Sequence, residues 1–133
     1  RGRIQFDGKA PVVQTLAGRF EDEKNDCVIR ALALAFDLPY AHMHNLLTKL
    51  GRRHRCGTSN VVWRRWIAAE VANGNATSAP HFRLTLGSWI RQRPIGTYVV
   101  WVRGHLVCVR DGIALDVGQP KWKQPIKGLY RVG

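Results

Sequence analysis

The segment from Asn25 to Phe36 constrains the fold more than any other stretch, because it predicts a helix that is apolar on nearly every side. After the polar pair Asn25-Asp26, apolar residues are spread all around the helix, namely Val28, Ile29, Ala31, Leu32, Ala33, Ala35 and Phe36. Such a helix is stable only when other elements cover it. The sequence therefore predicts a core helix that begins at this polar pair, since Asn and Asp are both favoured N-caps.

Cys27 falls in the first turn of this predicted helix. The helix dipole and the unpaired N–H groups of a first turn favour an anion, and they lower the pKa of a thiol placed there. Two interpretations remain open from this residue alone. Cys27 is either a nucleophilic thiol or a small buried hydrophobe, which is the commoner role of a free cysteine.

A second informative region, residues 97–117, predicts an antiparallel hairpin. Its strands are the β-branched and aromatic runs 97–102 and 106–110. The dipeptide Asp111-Gly112 that follows favours a type I′ turn, which needs positive φ at both central positions. A third strand that leaves this turn therefore pairs with residues 106–110.

The register of this hairpin brings His105 close to Asp116. It places Val107 opposite Asp116, and side chains alternate between the two faces of a sheet. His105, Val107, Ala114 and Asp116 are therefore expected on one face, with His105 and Asp116 as diagonal neighbours, close enough for a carboxylate to orient an imidazole. The opposite face is expected to be apolar and packed, with Leu106, Cys108, Ile113, Leu115 and Val117.

This order of residues, a cysteine at the start of a buried helix followed by His and Asp on a late sheet, resembles the papain-like cysteine peptidase superfamily. The Asp26-Cys27 pair and the Gly104-His105 strand start are most similar to its small bacterial and phage branch, which includes the peptidase domains that remove double-glycine leader peptides. The resemblance covers residues 21–117. It implies an α+β fold in which N-terminal helices pack on a C-terminal antiparallel sheet.

The resemblance also implies a role for each site residue. Cys27 would be the nucleophile, His105 the general base and acid, and Asp116 the carboxylate that orients His105. The superfamily usually has a glutamine six residues before the cysteine, which donates to the oxyanion. This chain has Glu21 there, and an ionised carboxylate would repel an oxyanion. Asn25 is the alternative side-chain donor beside the Cys27 backbone N–H.

Length and composition predict a single domain over residues 1–133, with an N-terminal arm over residues 1–20. Three cysteines without paired spacing predict a reducing compartment such as the cytoplasm. The resemblance to the bacterial and phage branch implies a phage virion or its host cytoplasm as the alternative. No apolar run approaches 18 residues, so no membrane span is expected. No cofactor or metal is expected either, since no second pair of ligands follows His54 and Cys56 at zinc spacing. A chain that begins at Arg1 is expected to be processed, trimmed or excised.

The formal net charge of +12 is carried entirely by residues 38–133. Such an excess attracts polyanions, and non-specific contact with nucleic acid is expected as an alternative to a merely solvated surface. The candidate polyanion-binding residues are Arg52, Arg53, Arg55, Arg64 and Arg65. Trp63 and Trp66 beside them fit either base stacking or, at helical spacing, a core stripe.

Further elements are predicted from periodicity and caps: edge strands at 12–14 and 129–132, helices at 40–50 and 61–72, a short strand at 81–84, and a brief helix from the Thr85 cap through Ile90. The favoured function is hydrolysis of an amide bond in a protein or peptide substrate through a thioester, with peptidase and amidase not separated. The alternative is a non-catalytic basic module of the same fold that binds nucleic acid or an acidic protein.

Overall fold

The computed structural model describes residues 12–13, 25–54, 56–116 and 121–133. Along these residues the elements are β1 (Val12–Val13), α1 (Cys27–Ala35), α2 (Tyr40–Lys49), α3 (Asn60–Ala72), β2 (Ala76–Ser78), α4 (Leu86–Arg91), β3 (Thr97–Val102), β4 (His105–Arg110), β5 (Ile113–Leu115) and β6 (Ile126–Val132). All four helices lie where the sequence predicts them, within one or two residues at each end.

The strands form one sheet in the order β1-β5-β4-β3-β6-β2. The five strands from β5 to β2 are antiparallel, whereas the two-residue β1 is parallel to β5. The chain is therefore α+β, as expected at that level. The Asp111-Gly112 turn is also confirmed, because both residues have positive φ (50° and 80°) and Arg110 pairs with Ile113.

Helix α1 is the centre of the larger hydrophobic cluster, as its sequence predicts. It packs on β4, where Leu106 and Cys108 point toward it. Helix α2 also packs against α1, and Trp63 and Ile67 of α3, each 1% exposed, belong to the same cluster. The stripe on α3 is therefore core, and the Ser59 side chain caps this helix by accepting from the Val62 N–H.

The opposite face of the sheet is also apolar and buried, which corrects the expected polar face. Val107 and Ala114, predicted to share a face with His105 and Asp116, lie in a second hydrophobic cluster with Trp89 and Ile90 of α4. Helix α4 is held there by a capping box in which Thr85 and Ser88 exchange hydrogen bonds. A sheet covered on both faces needs apolar side chains in both alternating sets.

One strand prediction is wrong, and a second predicted strand is present but does not lie at the edge of the sheet. Residues 81–84 form a turn, closed by a hydrogen bond from the Leu84 N–H to the His81 carbonyl, with Arg83 at a positive φ of 59°. The strand of this region is instead β2, which pairs with β6. Because β2 covers its outer side, β6 lies inside the sheet rather than at its edge. At the other edge, Val12–Val13 form the predicted strand, while the rest of the arm lies outside the described residues.

Within the described ranges, no helix is long and apolar enough to cross a membrane.

Candidate active site

Cys27 lies at the mouth of a cleft of about 240 Å³ between the helices and one end of the sheet. It is the first residue of α1, and its side chain is half-buried. Trp63 of α3 forms part of the helical wall, while Trp101 and His105 form part of the wall from the sheet. The thiol can therefore reach a molecule in the cleft, while the rest of α1 stays in the core.

His105 and Asp116 meet at the same end of the sheet. His105 is the first residue of β4, Asp116 directly follows β5, and these two strands are antiparallel neighbours. The His105 Nε2 atom lies 2.5 Å from an Asp116 carboxylate oxygen, so the predicted hydrogen bond is present. The other ring nitrogen, Nδ1, is left to interact with the Cys27 thiol, which lines the same cleft as His105.

Both residues make their contacts on the α1 side, although strict alternation would place them with Val107 on the α4 side. His105 lines the cleft with Cys27, Asp116 accepts a hydrogen bond from Arg30, and both of these partners belong to α1. The position of these two residues explains this, because His105 lies at the end of a strand and Asp116 lies just beyond one. There the sheet pleat no longer fixes the direction of the side chain.

The electrostatics favour an ion pair between the thiol and the imidazole. Burial acts to raise the pKa of Cys27, but hydrogen bonds from His105 and the Leu106 backbone, with the positive charges of His105 and Arg30, lower it below its usual value. Burial acts to lower the pKa of His105, but Asp116 and the Cys27 thiolate raise it to about 9. A thiolate beside an imidazolium is the reactive form of a nucleophilic cysteine.

Arg30 joins two buried carboxylates behind this pair, a feature that the sequence interpretation missed. Its Nε donates to Asp26 at 2.9 Å and its Nη1 donates to Asp116 at 3.0 Å. The Tyr40 hydroxyl donates to the second Asp26 oxygen at 2.7 Å. Asp26 and Asp116 are 1% and 4% exposed, so both carboxylates need these partners.

Asp26 therefore does not cap α1 with its side chain, contrary to expectation. It occupies the N-cap position, but its carboxylate makes no capping hydrogen bond, because Arg30 and Tyr40 engage it. The signal was present in the sequence. Asp26 and Arg30 are four residues apart, which is the ion-pair spacing of a helix, and Arg30 is the one charged residue of α1.

Of the two candidate oxyanion donors, Asn25 lines the cleft and Glu21 lies outside the described residues. Asn25 is exposed and has a φ of 53°, a left-handed conformation that Asn tolerates better than most residues. The Cys27 N–H belongs to the first turn of α1 and so has no carbonyl acceptor within the helix. Two N–H donors can thus lie beside the thiol.

The predicted polyanion-binding arginines do not form one surface. Arg52 is only 3% exposed, which corrects its assignment, whereas Arg53, Arg64 and Arg65 are exposed. Arg55 lies outside the described residues. The physical reason for the burial is a Schellman turn at the end of α2, in which Gly51 has a positive φ and the Arg52 N–H donates to the Leu47 carbonyl. This turn folds Arg52 back onto the last turn of the helix.

The three cysteines are free, and their environments differ. Cys56 is exposed, whereas Cys108 is fully buried, and burial raises the pKa of its thiol to about 12. His54 lies 3.1 Å from His44, which is a pair rather than a cluster of ligands. Among the described residues, no group of three or more potential ligands could hold a metal ion.

Comparison with known proteins adds no relative: neither a protein-family model, nor a curated protein, nor a solved structure matches this chain.

Proposed function

We propose that this chain is a papain-like cysteine hydrolase that cleaves an amide bond of a protein or peptide substrate, as a peptidase or an amidase. The observation that carries the proposal is that Cys27 and His105 line the same cleft, with His105 hydrogen-bonded to Asp116 behind it. The opposite pKa shifts of Cys27 and His105 support it, because they move the thiol and the imidazole toward their charged forms, the thiolate and the imidazolium.

In the proposed reaction the Cys27 thiolate attacks the carbonyl carbon and forms a tetrahedral oxyanion. The Cys27 N–H and the Asn25 side chain are the candidate donors to this oxyanion. When the intermediate collapses, the C–N bond breaks and the leaving amine takes the proton of the His105 imidazolium. His105 then takes a proton from water as the water oxygen attacks the thioester carbonyl. The C–S bond breaks and the acid leaves, so the Cys27 thiolate and the protonated His105 form the ion pair again.

Asp116 and Arg30 would act as positioning residues in this reaction. Asp116 accepts from His105 Nε2, which keeps Nδ1 directed toward the thiol. Arg30 holds the other Asp116 oxygen, which keeps the carboxylate ionised and fixed. We expect the protein to work in a reducing compartment, because oxidation would consume the free Cys27 thiol.

A second candidate function, a basic module that binds nucleic acid or an acidic protein, is favoured by a different observation. Arg53, Arg64 and Arg65 are exposed, and no ion pair is found for them within the described residues. This function needs no reactive thiol. The reactivity of Cys27 therefore separates the two candidates.

The proposal is tested by trapping the nucleophile with a peptide vinyl sulfone at limiting concentration, followed by peptide mapping. We expect one adduct, on Cys27. His105→Gln should slow its formation, whereas Cys56→Ser should not. A protein that gives no adduct on Cys27 while its fold is intact, or that reacts only at Cys56, would be a binding module and not a hydrolase.

A further inference from the structure

Two cationic side chains contact the aromatic wall of the cleft. The Arg64 guanidinium carbon lies 5.1 Å from the centre of the Trp101 ring, and the Lys127 ammonium lies 4.8 Å from it. Trp101 lines the same cleft as Cys27. Cation–π contacts of this kind hold a charged group at a defined place on an exposed surface.

The position of Trp101 is itself fixed by its neighbours. Trp63 packs against it edge to face, with ring centres 5.1 Å apart. Gly128 of β6 pairs with Trp101 in the sheet, and a Cβ atom at Gly128 would lie only 3.1 Å from the ring. The absence of a side chain at Gly128 thus lets the indole lie close to the strand that carries Lys127.

Arg64 and Lys127 repel each other unless an anion lies near them. Because both lie within about 5 Å of one ring centre, they are at most about 10 Å apart, the Debye length at 0.1 M salt. Both are exposed, and neither pairs with a carboxylate of the described residues. No Asp or Glu is found among the described residues that line the cleft.

A third cation, Lys121, lies near Gly104. The Lys121 ammonium donates to the Arg103 carbonyl at 3.3 Å, and it would lie 3.4 Å from a Cβ atom at Gly104. Gly104 lines the cleft next to His105 in sequence. Positive charge therefore flanks the cleft at Trp101 and at Gly104.

We propose that the cleft selects acidic peptides, with an Asp or Glu side chain near the scissile amide seated beside Trp101 between Arg64 and Lys127. This inference rests on the proposed function, since it names the substrate class of the same site. Lys121 would favour a second carboxylate near Gly104. Charge complementarity raises both the affinity for such a peptide and its rate of encounter.

The first test needs no knowledge of the natural substrate. Cys27 is alkylated at low salt with iodoacetate, which is anionic, and with iodoacetamide, which is neutral, and the ratio of the two rates is measured by peptide mapping. Arg64→Glu and Lys127→Glu should each lower the ratio about fivefold, the effect of reversing one charge at about 8 Å in water. The iodoacetamide rate should stay unchanged.

Arg131→Glu is the matched control. It makes the same charge change on the same strand as Lys127, but Arg131 pairs with Tyr98, toward the end of β3 away from Trp101. Its effect on the ratio should be smaller, about twofold or less, because the interaction between two charges weakens with distance and Arg131 lies farther along β6 from Trp101. An equal effect of Arg131→Glu and Lys127→Glu would mean that only net charge matters, and it would overturn the inference.

The second test separates peptide from nucleic acid. A decapeptide of Glu should protect Cys27 from iodoacetamide, and a decapeptide of Gln should not. Protection by a single-stranded oligonucleotide but not by the Glu peptide would overturn the inference in favour of nucleic acid. Fast labelling of Cys27 with no difference between the Glu and Gln peptides would also overturn it, and it would leave the proposed hydrolase intact. Slow labelling of Cys27 by both reagents would instead count against the hydrolase itself.

Discussion

The candidate site depends on Arg30, although Arg30 does not itself line the cleft. Its guanidinium spans Asp26 and Asp116, and its charge contributes to the lowered pKa of Cys27. The planar guanidinium of an arginine can donate hydrogen bonds to two carboxylates at fixed angles, which a lysine ammonium cannot do as well. Arg30 therefore couples the start of α1 to the end of β5.

We expect Arg30→Gln to lower the free energy of unfolding by about 3 kcal/mol, because it leaves two buried carboxylates without their cation. It should also shift the alkylation of Cys27 to higher pH, since the thiolate loses a positive neighbour. Arg30→Lys should restore the pH profile better than the stability. Urea unfolding and a pH series of iodoacetamide rates measure the two effects.

Arg65→Gln on the exposed side of α3 is the control, and its effect should stay within about 0.5 kcal/mol. A pH profile of Cys27 that Arg30→Gln leaves unchanged would contradict the assigned role.

The pKa of His105 gives a second prediction at this scale. In the folded chain it is raised to about 9, above the ordinary value of 6.5, so the charged ring stabilises the fold. This stabilisation is complete below pH 6.5 and is lost as the pH rises through about 9. The stability difference between the wild type and His105→Gln should therefore shrink over that range. Urea unfolding at pH 6 and pH 9.5 measures it, and a difference that grows with pH would have the wrong sign.

Among the elements, the hairpin β4–β5 shows how two packed faces and a polar end are combined. Leu106 and Cys108 face α1, Val107 and Val109 face the cluster around α4, and His105 lies at the end. Polar and apolar side chains are thus separated along the length of the strand, and not between the two faces of the sheet. The candidate site lies at the end of the strand, and both faces of the sheet therefore stay covered by apolar side chains.

Val107→Thr tests this arrangement directly. Val107 is 1% exposed in an apolar cluster, so a hydroxyl there should cost about 2 kcal/mol of stability. A polar face, as alternation from His105 suggested, would make the same change nearly neutral. Val61→Thr is the control, because Val61 is 68% exposed, and its cost should stay within about 0.5 kcal/mol. Thermal unfolding of both variants compares them.

The sequence predicted those elements whose signals are local. The apolar α1, the Thr85 cap and the Asp111-Gly112 turn all act within a few residues, and all are present. What it missed depends on distant partners. The contact of Arg30 with Asp116 spans 86 residues, and the position of β6 inside the sheet depends on β2. The residue pattern within one segment does not predict which distant segment it contacts.

At the scale of the whole molecule, the excess of positive charge has two different uses. Arg52 is buried at the end of α2 and belongs to the fold, whereas Arg53 next to it is exposed. Arg64 and Lys127 contact the Trp101 ring, and Lys121 lies near Gly104, and both Trp101 and Gly104 line the cleft. Net charge alone therefore does not describe a binding surface, because neighbouring residues of the same type have different roles.

The variants Arg52→Glu and Arg53→Glu should separate the structural role of a buried positive charge from the binding role of an exposed one. The first places a carboxylate where a buried cation was and should cost about 3 kcal/mol or more of stability. The second should leave stability within about 0.5 kcal/mol, and it should weaken any salt-sensitive binding of nucleic acid. Urea unfolding and oligonucleotide titration at two salt concentrations measure them. Equal stability of the two variants would contradict the burial of Arg52.

The central claim is that His105 activates Cys27, and the most direct measurement is the order in which the three thiols react with limiting iodoacetamide at pH 6. Cys27 should be labelled first, the exposed Cys56 more slowly, and Cys108 only after unfolding. His105→Gln should slow Cys27 about tenfold or more, since a thiol of ordinary pKa is almost fully protonated at this pH. Cys56 should not change, and unlabelled Cys108 reports that the variant is folded. Labelling of Cys56 or Cys108 before Cys27, or a Cys27 rate that His105→Gln leaves unchanged, would contradict the account.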